Sequence, residues 1–379
     1  MKVGFYDHAA QWDLLGDQFV DLFRKFGAST KYVDGPLIAE FEEKFAKHYG
    51  YKHVVTVSNG GSAIFMALRA AGVPDGSTII THTNTFAASA LAPECVGYKV
   101  KLVDCEPRYK CIDPAKVRAA LEADTNREIK AIVAVHLYGH LCDMPALRKL
   151  ADDFDLKIIE DGAQSVGATN PNFRQGELGD AVTTSFIVQK NFGCLGNGGA
   201  VMTNDAGIAA SILYQKVYGS KKRSHHGDGS CNFRSEEFNM GQLTIKLNHI
   251  DSWTANRRAL AKVYYAGLKG TSLTHQPMDS VDHDAWHLYV VHTQKREQRD
   301  DLVTFLNNNG IDAKTHYPIC IHQQKDIDMN SGKYQVVGDL TNAENNAAAC
   351  VSLPMHPFIT KEESAYVIEK VIEWDKKNN

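Results

Sequence analysis

The chain has 379 residues, 44% of them hydrophobic and 23% charged, the composition of a globular protein whose core is large enough to enclose a deep cleft. Lys and Arg total 41 against 45 Asp and Glu, a net charge of −4, which gives no support to a nucleic-acid partner because such partners need a strongly basic domain. No run approaches the roughly 20 apolar residues of a membrane span, the stretch from Met1 to His8 lacks the apolar core of a signal peptide, and the eight cysteines are scattered without a CxxC pair, so neither a zinc ribbon nor a disulfide framework is expected. A reduced, cytoplasmic protein of two or three domains is the expectation.

Short β-branched runs alternate with helical patterns through the first two-thirds. Strands are expected at 54–57, 78–81, 99–103, 131–135 and 157–159, and helices at 62–71, 86–96, 113–123 (with Pro114 in the first turn) and 144–154. This alternation predicts βαβ units and a mostly parallel sheet. Beyond about Asn248 the pattern changes to a long charged helix over 251–268, a strand at 289–292, and helices at 299–308 and 362–375. The expectation is therefore a large domain over 1–250 and a smaller α+β domain over 251–379.

Ligands of such sheets gather outside the carboxyl ends of the strands. Polar or glycine-rich residues follow the strands at Ser58-Asn59-Gly60-Gly61-Ser62, Thr81 to Phe86, His136 to Gly139 and Glu160 to Gln164. The turn at Gly60-Gly61 would offer backbone N–H groups and a helix N-terminus to a phosphate, with Ser62 adding a hydroxyl; taken alone it reads more readily as a serine-capped turn. Asp161, at a strand's end, suits a protonated ring nitrogen or a helix cap. Lys190 ends the apolar run Phe186-Ile187-Val188 and enters the glycine-rich stretch Gly193 to Gly199. A partly buried lysine loses proton affinity, and a neutral amine is what Schiff-base chemistry requires.

The ordered set of motifs resembles the DegT/DnrJ/EryC1/StrS family of sugar aminotransferases along nearly the whole chain. It comprises Asp34-Gly35-Pro36, Val57-Ser58-Asn59-Gly60, Thr85-Phe86, His136-Leu137-Tyr138-Gly139, Glu160-Asp161-Gly162-Ala163-Gln164, Ser185-Phe186, Lys190-Asn191, Gly198-Gly199-Ala200, Asn232-Phe233-Arg234, His316-Tyr317-Pro318 and Leu353-Pro354. The resemblance implies an α/β, type I fold of the pyridoxal-phosphate-dependent (PLP-dependent) transferases, and a transamination in which glutamate gives its amino group to PLP and pyridoxamine phosphate passes it to a keto sugar nucleotide. It implies that Lys190 holds PLP and moves the proton, that Asp161 pairs with the ring nitrogen, that Gln164 faces the ring hydroxyl and that Phe86 stacks on the ring. Gly60, Gly61, Ser62 and Ser185 would hold the phosphate. Asn232 would reach the neighbouring subunit's cofactor in a homodimer, and Tyr218, Lys221, His226, Tyr317 and His322 would line the nucleotide-sugar pocket.

The chain departs from the family pattern at Gly61, where threonine is usual, at Val166, where relatives often carry histidine, and over Ser235 to Met240. The stretch Tyr218 to Lys222 resembles enzymes of 3-keto sugars more than those of 4-keto sugars. Lys221-Lys222-Arg223 with His225-His226 reads as a diphosphate site or a solvated loop. His316 and His322 beside Cys320 read as pocket or core histidines, not metal ligands, for want of further ligands at metal-site spacing. Lysine at 190 argues against the sugar dehydratases of this fold, which carry histidine there, and the intact set Lys190, Asp161, Gln164 and Ser185 argues against a non-catalytic regulator.

Overall fold

The computed structural model describes residues 1–378 except 221 and 223. In chain order the elements are α1 (His8–Ser29), α2 (Pro36–Tyr49), β1 (His53–Val57), α3 (Gly60–Ala70), β2 (Thr78–His82), α4 (Ala88–Glu94), β3 (Lys99–Val103), α5 (Pro114–Glu122), β4 (Ile129–Val135), α6 (Met144–Phe154), β5 (Lys157–Asp161), β6 (Ala181–Ser185), β7 (Gly199–Thr203) and α7 (Ala206–Gln215). There follow α8 (Glu237–Leu247), α9 (Ile250–Leu268), β8 (Thr274–His275), β9 (Tyr289–His292), α10 (Arg296–Asn308), β10 (Tyr334–Val336), α11 (Thr341–Ala349), β11 (Cys350–Leu353) and α12 (Lys361–Asn378).

Among the described residues the large sheet has eight strands in the order β1-β7-β6-β5-β4-β2-β3-β10. The run from β10 to β6 is parallel throughout, and β7 runs antiparallel between β6 and β1. Because β7 reverses twice, β1 points the same way as β6, so β1, β2, β4, β5 and β6 all end on one rim. The sheet's central strands are buried on both faces, as continuous apolar runs such as Ala131-Ile132-Val133-Ala134-Val135 require. Ile64, Leu68, Ile208 and Ile212 from α3 and α7 belong to the core cluster on one face, and Val117, Leu121, Leu147 and Leu150 from α5 and α6 to that on the other.

A second sheet, β11-β9-β8, packs with α9, α10 and α12 around Tyr264, Trp286, Tyr289, Val367 and Trp374. The expected division near residue 250 is crossed in both directions. Val3 forms a parallel bridge to Ile311 and lies in the core of the second unit, while β10, from beyond 250, adds to the outer edge of the large sheet beside β3.

The strand expected before Lys190 is shorter than its apolar run. The strand before Lys190 stops at Ser185, five residues early, and the apolar run Phe186 to Val188 belongs to the loop joining two antiparallel strands. The loop is nevertheless rigidly built. Phe186 and Val188 donate to Gly198 O and Gly196 O at 2.7 and 3.1 Å, and Phe192 is fully buried, with its ring 5.7 to 6.2 Å from those of Phe41, Phe45 and Phe186. Phe192→Ala should destabilise the fold by about 3–5 kcal/mol through the cavity it leaves, measured as a fall in the denaturant midpoint with little change in slope.

Candidate active site

Five segments deliver side chains to the rim. At the end of β1, Asn59 caps α3: its Oδ1 accepts from Ser62 N at 2.9 Å, and Asn59 N donates to Ser62 Oγ at 3.3 Å. Ser62 Oγ donates in turn to Asn59 O at 2.8 Å and is buried, so this hydroxyl is committed to the cap. Gly60 and Gly61, the first two residues of α3, sit at positions whose N–H groups have no partner within the helix. A Cβ on Gly60 would lie 2.8 Å from Ser185 Cβ, and one on Gly199 would lie 2.5 Å from the Asn59 backbone. The register places Gly199 opposite both Val57 and Ser185. Glycine at 199 thus lets the α3 N-terminus approach Ser185 closely.

After β2 comes Phe86. It stays outside the helix expected to contain it, because α4 begins at Ala88. Its ring is 56% exposed and lies 5.8 Å from that of Tyr317, an arrangement that leaves an aromatic face open to the cleft. After β4, Tyr138 N donates to Gln164 Oε1 at 2.7 Å, and Gln164 Nε2 donates to Tyr317 Oη at 3.0 Å, which fixes the orientation of the buried amide. Burial raises the Tyr317 phenol well above its ordinary value, aided by the nearby Asp161 charge.

Asp161 closes β5 and is 5% exposed. Its Oδ1 accepts from Ala163 N at 3.1 Å and its Oδ2 from Ser89 Oγ at 2.8 Å. Lys190 sits partly exposed in the loop between β6 and β7. The protein around its amine pushes the pKa down to about 8 by desolvation, against the pull of Asp161, which raises it. Its neighbour Asn191 is pinned to the second unit, donating to Ala285 O at 3.1 Å and bonding His287 Nδ1 at 2.8 Å. On the other side Lys246 of α8 donates to Gly193 O. Burial keeps His287 and His316 neutral, His316 down to about 4, with the Lys190 charge acting in the same direction.

Lys190, Asp161, Gln164, Phe86 and Tyr317 therefore form one group, bordered by Gly60, Gly61 and Ser185. Tyr218, His226 and Asn232 form another. The bridge between Val217 and Asn232 joins their segments, and the Tyr218 and His226 rings stand edge to face at 6.1 Å. Phe233 O accepts from Ser58 N at 2.9 Å, which lays this segment beside the entry to α3. Lys221 lies outside the described residues. His322 has both ring nitrogens engaged within the fold, with Thr83 Oγ1 at 2.8 Å and Glu344 Oε1 at 3.1 Å, and His316 bonds Ser352 Oγ at 2.8 Å. Ser89, Asn191 and His287 were not singled out as site residues by sequence reasoning. Ser89 follows Thr85-Phe86 inside an apolar stretch with no motif of its own, and His287 meets Asn191 only through the tertiary fold.

The residues present fit PLP. A cleft lysine with lowered proton affinity suits its aldehyde. A buried carboxylate that holds hydrogen bonds yet, among the described residues, pairs with no arginine suits a pyridinium nitrogen. An open aromatic face suits the ring, and a glycine-built helix N-terminus beside a serine suits the phosphate.

Comparison with known proteins agrees. The chain is 36% identical over 374 residues, 98% of its length and 96% of the relative's, to the dTDP-3-amino-3,4,6-trideoxy-alpha-D-glucose transaminase of Streptomyces venezuelae. It is 35% identical to a protein of Geobacillus stearothermophilus named pleiotropic regulatory protein, over 99% of both chains. Its fold superposes with a TM-score of 0.86 on the crystal structure of NtdA from Bacillus subtilis with bound cofactor PMP, 27% identical and covering 95% of this chain and 82% of that one. With residues 14–372 matching the profile of the DegT/DnrJ/EryC1/StrS aminotransferase family, the chain belongs to that family of PLP-dependent enzymes.

Proposed function

We propose that the protein transfers an amino group from glutamate to a keto sugar carried on a nucleotide, with a 3-keto-6-deoxyhexose on dTDP or a similar nucleotide as the acceptor. The observation that carries this reading is the Lys190 amine, held at a pKa of about 8 beside the buried Asp161 carboxylate. Neither group has that environment on an ordinary surface. The Streptomyces relative, named for a 3-amino sugar product, supports the choice of the 3-position.

PLP, when bound, supplies an electron sink that weakens a C–H bond next to the transferred nitrogen. The rest of the work falls to the chain. Lys190 would anchor the cofactor and would be the base and acid that moves a proton at the substrate carbon; its lowered pKa keeps a useful fraction neutral near pH 7 to 8. Asp161 holds a proton on the ring nitrogen. Gln164, oriented by Tyr138 N–H, faces the ring hydroxyl, and Phe86 covers the ring face. Gly60, Gly61 and Ser185 bind the phosphate. Ser62 acts through the α3 cap that presents these N–H groups. Tyr317 borders the sugar, and Tyr218, Lys221, His226 and His322 border the nucleotide, His322 by holding the 319–324 segment. Asn232 serves the neighbouring subunit. A self-associating face is supported by Phe23, Tyr32 and Val33, 59%, 51% and 61% exposed, around the packed rings of Phe26 and Phe238. An apolar patch of this kind marks an interface.

The purified protein with PLP should be yellow and should lose that colour to the pyridoxamine form on addition of glutamate. A folded protein that stays colourless with PLP would defeat the proposal and favour a regulatory role. Lys190→Ala should retain the fold and lose turnover by at least about 10³-fold. The rate at which the PLP-free protein captures PLP should rise through pH 8, as the Lys190 ammonium with its lowered pKa gives up its proton, and flatten above it; a rise centred near pH 10.5 would place the amine in open water. Phe23→Asp should convert a dimer to monomers in sedimentation velocity and reduce PLP retention.

A further inference from the structure

Ser89 is the second residue of α4 and is 1% exposed. Its Oγ lies 2.8 Å from Asp161 Oδ2. An ionised carboxylate only accepts hydrogen bonds, so the serine is the donor. The other carboxylate oxygen is occupied by Ala163 N–H at 3.1 Å. The carboxylate plane is thus held from two sides by groups on different segments. Ser89 N also donates to Phe86 O at 3.1 Å, so the same residue ties the turn carrying Phe86 to the carboxylate.

We propose that Ser89 is a positioning residue for the cofactor: its hydroxyl fixes the Asp161 carboxylate where a protonated ring nitrogen would meet it, and couples that contact to the aromatic side chain of Phe86. The proposal rests on Asp161 facing the ring nitrogen. Donation from a buried hydroxyl stabilises the carboxylate's negative charge and fixes the direction of its lone pairs. The carboxylate then leaves the shared proton on the ring nitrogen instead of taking it. Without the hydroxyl, a bound ring would be neutral more of the time and would withdraw electrons less strongly. The nitrogen that links Lys190 to the cofactor becomes more basic as a result. Among the described residues, Tyr317 bears on Asp161, and His287 and His316 bear on Lys190. Burial keeps the phenol protonated and both imidazoles neutral, so none of them changes charge in the neutral range and obscures the measurement.

The test is a pH titration of the visible absorption of the PLP-loaded protein, run on the wild type, Ser89→Ala, Ser89→Thr and Asp161→Asn. Ser89→Ala should raise the midpoint by about one pH unit, the size expected when one hydrogen bond to a buried charge is lost, and weaken PLP retention about tenfold. Ser89→Thr keeps the donor and should keep the wild-type midpoint. Asp161→Asn should shift it further than Ser89→Ala. A wild-type midpoint in Ser89→Ala, with Asp161→Asn shifted, overturns the role of Ser89 and leaves the reading of Asp161 intact. No shift in Asp161→Asn overturns the reading of Asp161 and the proposal with it. Should Ser89→Ala fail to fold by circular dichroism, Ser89→Cys decides: a weak donor should give a midpoint between those of the wild type and Asp161→Asn, and an unshifted midpoint would refute the role.

Discussion

A carboxylate at the end of a central strand, 5% exposed, loses several kcal/mol of hydration unless its charge is answered. Asp161 is answered only in part. One hydroxyl and one amide bond its two oxygens, and the Lys190 amine lies near enough to feel its charge yet is itself held short of full protonation by burial. The remaining deficit is the property a cationic ring nitrogen would satisfy.

Two devices keep the lysine in place. The loop bearing it is closed at its base by the backbone bonds of Phe186 and Val188 and filled by Phe192. At its tip Asn191 reaches Ala285 and His287 of the second unit, while Lys246 and Gln242 of α8 hold Gly193 and Leu195. The phosphate turn is set with comparable economy. One strand, β7, contributes Gly199 between β1 and β6, and the absence of a side chain there sets how near the α3 N-terminus comes to Ser185.

Much of this was legible in the chain. An apolar run such as Ala131 to Val135 announces a strand buried on both faces; β3 and β9 have the expected bounds, and the polar residues just beyond β1, β2, β4 and β5 do share one rim. Lys190 was legible as a lysine in an apolar, glycine-rich setting, but the strand before it was drawn too long: Phe186 to Val188 are apolar because they line a packed loop, and periodicity cannot separate that from a strand. Ser62 reads from sequence as a phosphate hydroxyl or as part of a capped turn, and the cap takes it. His322 reads as a pocket residue, and its partners Thr83 and Glu344 are distant in sequence. Ser89 carries no local signal at all, since its significance depends on a carboxylate 72 positions away. The soft boundary near 250 concealed that Val3 belongs with the second unit and β10 with the first sheet, because pairing between distant segments leaves no trace in composition.

The placement of β10 has a consequence for the integrity of the molecule. An unpaired strand offers its amides and carbonyls to any other chain, and β3, the fifth parallel strand of the run, would be such an edge. Three residues from the far end of the chain, Tyr334-Gln335-Val336, cover it, so the sheet is completed only after most of the polypeptide has been made. Until then β3 is a sticky margin on a nascent protein, and a chain ending before residue 334 would fail by clumping through that margin while its Lys190 loop and phosphate turn remained encoded in full.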